Sequence, residues 1–374
     1  MEALESSRPA RVVGYDIMRV IAIIAVVSIH VLMVYRGSGS EPTFATVVDA
    51  TLHFAVPVFF FISGALVWGR ASTHELAEYG AFLARRARGI LAPYFAWSVL
   101  YLVVSAVRGD ALHVLGRSPA LLLWGRAWYH LYFVPAIMLF YALTPILAPV
   151  VRRRPEAALA VAYLIRVLAA VFLFAPLASH ADPLFYSFVV TVTSHLSDVV
   201  LGAWFATRAD VLLPRLKRWS PLLLGAGAVL IGAGALPGQP WGVPSSIAQL
   251  AVPLGMALDV LGVAGLAFRM RLGDHGARTT ARLSTLTFGV YLVHPVIVLA
   301  WNATVEALGL SSLWRQAWFP AITVVVVAAG SFAISSALAS SPSTAWLVGV
   351  RSTGATLRRR PPVPMAKPEI AQAG

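Results

Sequence analysis

From residue 13 to residue 338 one pattern recurs: an apolar run, then a short polar break. A run of about 20 apolar residues is long enough to cross a bilayer as a helix. In hydrocarbon no water is at hand for the backbone N–H and C=O groups, so each run must bond within itself as a helix. Ten runs can be delimited, at about 13–35, 46–68, 89–107, 128–150, 157–176, 184–206, 221–236, 245–268, 283–305 and 317–338. The expected fold is therefore all-α, a polytopic membrane helix bundle of about ten transmembrane helices. Composition agrees: 59% of the chain is hydrophobic and only 12% is charged, about half the charged share of a soluble domain. A transmembrane domain is expected over residues 1–350. A Pro-rich, polar tail at 351–374 is expected to be cytoplasmic and disordered. The first run lacks a small-residue cleavage site and reads as a retained signal-anchor.

A formal net charge of +13 would ordinarily suggest nucleic acid, but the position of the charges argues against it. Of the 29 Lys and Arg, 22 fall in alternate inter-helix segments. Five lie in the other set: Arg36, Arg108, Arg117, Arg126 and Arg315. The positive-inside rule then puts both termini in the cytoplasm. The expected location is the cell membrane, multi-pass, of the bacterial inner or plasma-membrane type, with the lipid bilayer as partner and no nucleic acid. The chain has no cysteine, which excludes disulfides, thiolate metal sites and a cysteine nucleophile. No spacing for a metal, a Walker loop, a nucleophile elbow or a dinucleotide is present.

The first run, YDIMRVIAIIAVVSIH from Tyr15 to His30, carries Asp16, Arg19 and His30 among apolar residues. Arg19 and His30 are three helical turns apart, on nearly one face and roughly 16 Å along the axis. Ionisable residues inside a membrane helix face protein or a cavity and suggest a site. A neutral imidazole at this depth can act as general base toward a hydroxyl. The alternative has Arg19 snorkelling at the interface and His30 bonding a neighbouring helix.

Arg85, Arg86 and Arg88 precede the third run as RRARGILAPYFAWS. They either serve as topogenic charge or bind phosphates, which guanidinium groups hold bidentately. A cytoplasmic mouth suits a phosphate-rich ligand such as coenzyme A. The polar stretch 69–88 is long enough for an interfacial helix. The stretch 108–127 is the longest outer loop and could fold over the outer mouth. In FFFISGAL, Phe59 to Leu66, Ser63 and Gly64 suit close packing rather than catalysis. His130 suits an interface residue beside aromatics able to stack on a sugar. Tyr291 and His294 share a face, and His294 before Pro295 could cap a kink. Arg166 in mid-helix needs a partner, for which Asp198 and Asp259 are both available. His195 and Asp198 share a face too, as a structural ion network or an acid/base pair.

Taken together, these segments resemble the acyltransferase 3 family. Arg19 and His30 are separated by ten residues, as in the family's opening motif. FFFISGAL matches its FFxISG element, and Arg85–Ser98 its Arg-rich step followed by Pro-Tyr. HLYFV at His130–Val134 is similar to its HLWF element, and STLTFGVYLVHP at Ser284–Pro295 to its late S…YLxH element. The resemblance spans nearly the whole apolar region. It implies transfer of an acyl group, often acetyl from acetyl-CoA, to hydroxyls of sugars, polysaccharides, lipids or secondary metabolites. It implies functional roles for His30, Arg19, Arg85, Arg86 and Arg88. A fused extracytoplasmic hydrolase-like domain, found in some members, is not expected.

The resulting expectation is an integral membrane O-acyltransferase with acyl-CoA, chiefly acetyl-CoA, as donor substrate and no tightly bound cofactor. Arg85, Arg86 and Arg88 would hold the donor, and His30, Arg19 and Asp16 would form the catalytic group. The acceptor would be a hydroxyl-bearing molecule of the sugar or glycan kind. His30 would act as base or, alternatively, as a covalent acyl carrier. The rival class is a transporter or flippase for a glycan or small anion, which requires no such Arg–His pair.

Overall fold

The computed structural model describes residues 12–37, 43–69, 76–235 and 245–350. The expected tail at 351–374 lies outside the described residues. Fourteen α-helices and no strand are present among the described residues. In chain order they are α1 (Val13–Gly37), α2 (Thr43–Leu52), α3 (Ala55–Ser63), α4 (Leu76–Ser105), α5 (Ala111–Leu123), α6 (Phe133–Ala142) and α7 (Thr144–Arg153). There follow α8 (Pro155–Leu168), α9 (Phe174–His180), α10 (Pro183–Thr207), α11 (Ala209–Ala235), α12 (Ser245–Arg269), α13 (Asp274–Ala307) and α14 (Phe319–Ser340).

Eight helical segments are long and apolar enough to cross a membrane, and the bent pair α6 and α7 makes a ninth. The chain is thus an all-α polytopic membrane protein. The expected seventh span, 221–236, is the apolar second half of α11. Arg215, Lys217 and Arg218 stand in its first half, so it falls outside that set. α11 nonetheless packs along α12, with Gly227 against Gly255 and Gly265 against Leu216.

α1 is the central helix. Its first half packs into a core with α3, α10, α11 and α12 through Tyr15, Met18 and Ala22. Its second half packs into another with α4, α13 and α14 through Ile23, Val27 and Val31. A membrane helix with packed faces in both halves can carry polar residues only where protein or a cavity receives them.

FFFISGAL is built for close approach. A methyl group on Gly64 would stand 1.9 Å from the Val199 carbonyl oxygen, and one on Gly202 would stand 1.9 Å from that of Phe61. The backbones of α3 and α10 touch through this reciprocal pair, as small residues permit. A π-helical turn, Gly64–Trp68, follows. The packing role expected of Gly64 is what the structure has.

Three expectations need correction. Residues 76–88 do not form a separate interfacial helix: α4 runs unbroken from Leu76 into the third span. Apolar residues from Phe82 onward keep its helical period, so nothing ends the helix at the polar boundary. The fourth span, expected at 128–150, is broken between α6 and α7 by 71°. Pro145 follows the break: it has no N–H for the Tyr141 carbonyl, which accepts from the Tyr79 hydroxyl at 3.0 Å instead.

The third concerns the start of that span: residues 128–132, expected to be helical, are not. α5 leads into a non-helical segment, residues 124–132, whose Ala127, His130 and Leu131 are buried. Gly125 turns the chain at φ +70°, and a side chain there would strike the Leu131 carbonyl. Irregular backbone at membrane depth survives only where protein satisfies it or a cavity adjoins it. Both hold here: the Tyr291 hydroxyl donates to the His130 carbonyl at 2.6 Å, the Tyr94 hydroxyl secures the end of α5 through the Leu122 carbonyl, and Tyr129, His130 and Tyr132 line a cavity.

Candidate active site

One cavity of about 940 Å³ runs through the bundle between α1, α3, α4, α6 and α13. Arg19, Arg85 and Arg86 stand at one end, His30, His53, Tyr129 and His130 at the other, and Val26, Ile29, Phe59 and Phe133 between them. The apolar waist follows from helix geometry. On α1 the cavity-facing residues recur at helical spacing, from Arg19 through Val26 and Ile29 to His30 and Met33. Between the two polar positions only the apolar Val26 and Ile29 face the cavity, while Ser28 bonds back to the Ile24 carbonyl.

Asp16 does not line the cavity. It is 1% exposed and accepts from the Ser284 hydroxyl at 2.7 Å and from the Arg19 guanidinium at 3.1 Å. Its role in the geometry is to hold Arg19 against the cavity wall. The three arginines of the second group part company. Arg85 and Arg86 line the cavity. Arg86 lies over the rings of Phe82 and Tyr141, 5.5 and 5.3 Å from their centroids. Arg88 points away and donates to the Ala84 carbonyl of its own helix at 3.3 Å.

At the other end the fold assembles what the sequence scatters. His30 from α1 and His294 from α13 meet with Nδ1 of the first 2.7 Å from Nε2 of the second. Their rings are nearly parallel, 4.9 Å apart. His130 joins from the non-helical segment, its ring 5.3 Å from that of His294 and 6.3 Å from that of His30. Tyr129 packs 4.7 Å from the His30 ring. His130 and His294 are therefore inside the site rather than at an interface or a simple kink. Their sequence signal was present, a histidine three residues after Tyr291 and one beside a cluster of aromatics, but it did not reveal the meeting. His53 and Gly349 also line the cavity, and neither carries a sequence signal for it.

The buried charges outside the cavity settle into a structural network. Arg166 pairs with Asp198 at 3.5 Å and donates to Ser197 at 3.1 Å, while His195 bonds Asp198 at 2.7 Å. Asp198 is thus the partner of Arg166, and Asp259 lies elsewhere, beside Gly227. Neither Arg166, His195 nor Asp198 reaches the cavity. Among the described residues no cluster could hold a metal ion.

A deep cavity with cationic groups at one mouth and imidazoles at depth suits an anionic ligand whose far end must be activated. No curated protein and no solved structure matches the chain. A family model does: that of the acyltransferase 3 family, described as an acyltransferase domain, matches residues 12–340. It covers every helix described above, and so the chain belongs to the acyltransferase 3 family and is a membrane acyltransferase.

Proposed function

We propose that the protein is an O-acyltransferase that takes an acetyl group from acetyl-CoA and gives it to a hydroxyl of a sugar or glycan. The observation that carries this reading is the single cavity joining Arg85 and Arg86 to His30. The charge alternation puts the arginine end at the cytoplasm, where acyl-CoA is found. His30 then lies in the outer half of the bilayer, roughly 16 Å beyond Arg19. Coenzyme A is long and thin enough for this shape. Its phosphates would rest on the arginines, and its pantetheine arm would lie along the apolar waist. An acceptor entering from outside would meet the thioester beside His30, with Tyr129 as a ring on which a sugar can stack.

The chemistry is acyl transfer to oxygen. The acceptor hydroxyl attacks the thioester carbonyl carbon as His30 takes its proton. The tetrahedral intermediate then expels the coenzyme A thiolate, and the imidazolium returns a proton to it. Arg19 offsets negative charge along the path. The test is His30→Gln, assayed with acetyl-CoA and a glycan-bearing membrane extract of the native host. A side-chain amide hydrogen-bonds but cannot take the proton. Transfer should fall by on the order of a hundredfold or more, the scale of a lost general base, while acetyl-CoA binding survives. Near-native turnover of His30→Gln would overturn the assignment.

A further inference from the structure

We infer that His294 is a positioning residue: it holds His30 in the one neutral tautomer that presents a bare Nε2 to the acceptor hydroxyl. The inference rests on the reading of His30 as the base. It starts from a chain of three groups whose donor and acceptor roles are forced.

The last group is the Val290 carbonyl, which only accepts. The Nδ1 of His294 lies 3.1 Å from it, so in the neutral ring that nitrogen carries the proton. A neutral imidazole has one N–H and one bare nitrogen, so Nε2 of His294 is an acceptor. The Nδ1 of His30 lies 2.7 Å from that acceptor and must therefore donate. The proton of His30 is then on Nδ1, and its Nε2 is bare.

Burial gives the chain its direction. His294 is fully buried and does not line the cavity, whereas His30 does. The protonated edge of His30 is turned to the protein and the basic edge to the substrate space. Which nitrogen of a histidine is protonated is commonly set by the bond that the other one makes. Here a second histidine does what a carboxylate does elsewhere, without placing a net charge in the membrane. The position is also supported along α13. Pro295 has no N–H, so it leaves the Tyr291 carbonyl without its helical donor. The helix therefore tolerates polar side-chain bonding at this turn. The Tyr101 hydroxyl secures the same turn by donating to the Leu292 carbonyl at 2.7 Å.

In the reaction the acceptor proton goes to Nε2 of His30. The imidazolium keeps its Nδ1–H on the bare Nε2 of His294, whose lone pair stabilises the new charge. When the proton returns to the departing thiolate, both rings are neutral again in their starting tautomers.

The experiment compares His294→Leu with His294→Gln in purified protein, using acetyl-CoA and the same glycan-bearing extract. Glutamine can place its carbonyl where Nε2 stood and accept from His30, whereas leucine cannot. His294→Leu should lose about a hundredfold or more in kcat with an unchanged KM for acetyl-CoA, and His294→Gln should stay within about tenfold of the native enzyme. Equal turnover in the two variants, whether both high or both low, overturns the inference. A second readout does not depend on the His294 variants: 15N spectra of labelled histidine in the native protein, with His30 assigned by difference from His30→Gln, should show Nδ1 protonated and Nε2 bare. The reverse tautomer overturns it. An inactive His30→Gln beside an active His294→Leu sinks the positioning role alone. An active His30→Gln sinks the base assignment, whatever the tautomer.

Discussion

The arginine step offers a sharp test because the structure divides three residues that look alike in the chain. Arg85 and Arg86 line the cavity, and Arg88 bonds back to its own helix. A hydrogen bond to a charged group contributes about 1.5–3 kcal/mol. Arg85 and Arg86 are exposed at the mouth, where salt screens them, so the lower end, about 1.5 kcal/mol, applies. At about 1.4 kcal/mol per tenfold, Arg85→Gln and Arg86→Gln should each weaken acetyl-CoA binding about tenfold, and the double variant about a hundredfold. Arg88→Gln should change it less than about twofold, since a solvated charge outside the cavity contributes little. Arg86 carries a further signature. Its flat guanidinium is held over Phe82 and Tyr141, and a lysine ammonium cannot reproduce that stacking. Arg86→Lys should therefore lose affinity although the charge is kept. Titration calorimetry of detergent-purified variants with acetyl-CoA, at low and high salt, measures all of this. The losses at Arg85 and Arg86 should shrink as salt rises. If Arg88→Gln weakens binding as much as Arg86→Gln, or the double variant binds like the native protein, the donor mouth has been misplaced.

Two further outcomes follow from the packing and the charge pattern. Gly64→Ala would push a methyl group to 1.9 Å from the Val199 carbonyl; forcing α3 from α10 should cost about 1–3 kcal/mol, as overpacking does, and a melting temperature equal to that of the native protein would contradict the close approach. Because the chain has no cysteine, introduced thiols report sidedness without background: Arg154→Cys should react with an impermeant maleimide only from the cytoplasm and Ser179→Cys only from outside, both being exposed, and labelling of Ser179→Cys from the cytoplasm alone would break the topology.

Much of the fold was open to inspection in the chain. The bilayer leaves an apolar run of the right length no alternative to a helix, so the spans could be placed from residue type alone. The places where this failed have different causes. α4 reaches back to Leu76, α6 breaks from α7, and residues 124–132 are buried although irregular. In the first two the local determinant, an uninterrupted helical period before Phe82 and the proline at 145, lies beside an apolar run and is hidden by it; in the third, contact with a distant helix decides the path. Tyr291 holds the non-helical segment from α13, and Tyr94 holds the end of α5 that leads into it from α4.

The candidate site divides in the same way. Arg19 and His30 could be placed on one face, roughly 16 Å apart, because a helix is a rigid ruler with a rise of ~1.5 Å per residue. That separation is a property of α1 alone. The same ruler applied to the arginines would group Arg85 with Arg88, since residues three apart are neighbours on a helix surface. The cavity instead meets Arg85 and Arg86. Which sector of α4 faces inward is set by its neighbours, and the long side chain of Arg86 follows the rings of Phe82 and Tyr141. The pairing of His30 with His294, 264 residues away, has no local determinant. Sequence determined that both histidines sit deep in apolar helices, where each needs a polar partner. Only the packing of α13 against α1 decided that each is the partner of the other, because the cost of a lone polar group in hydrocarbon specifies that a bond must be made and not with whom.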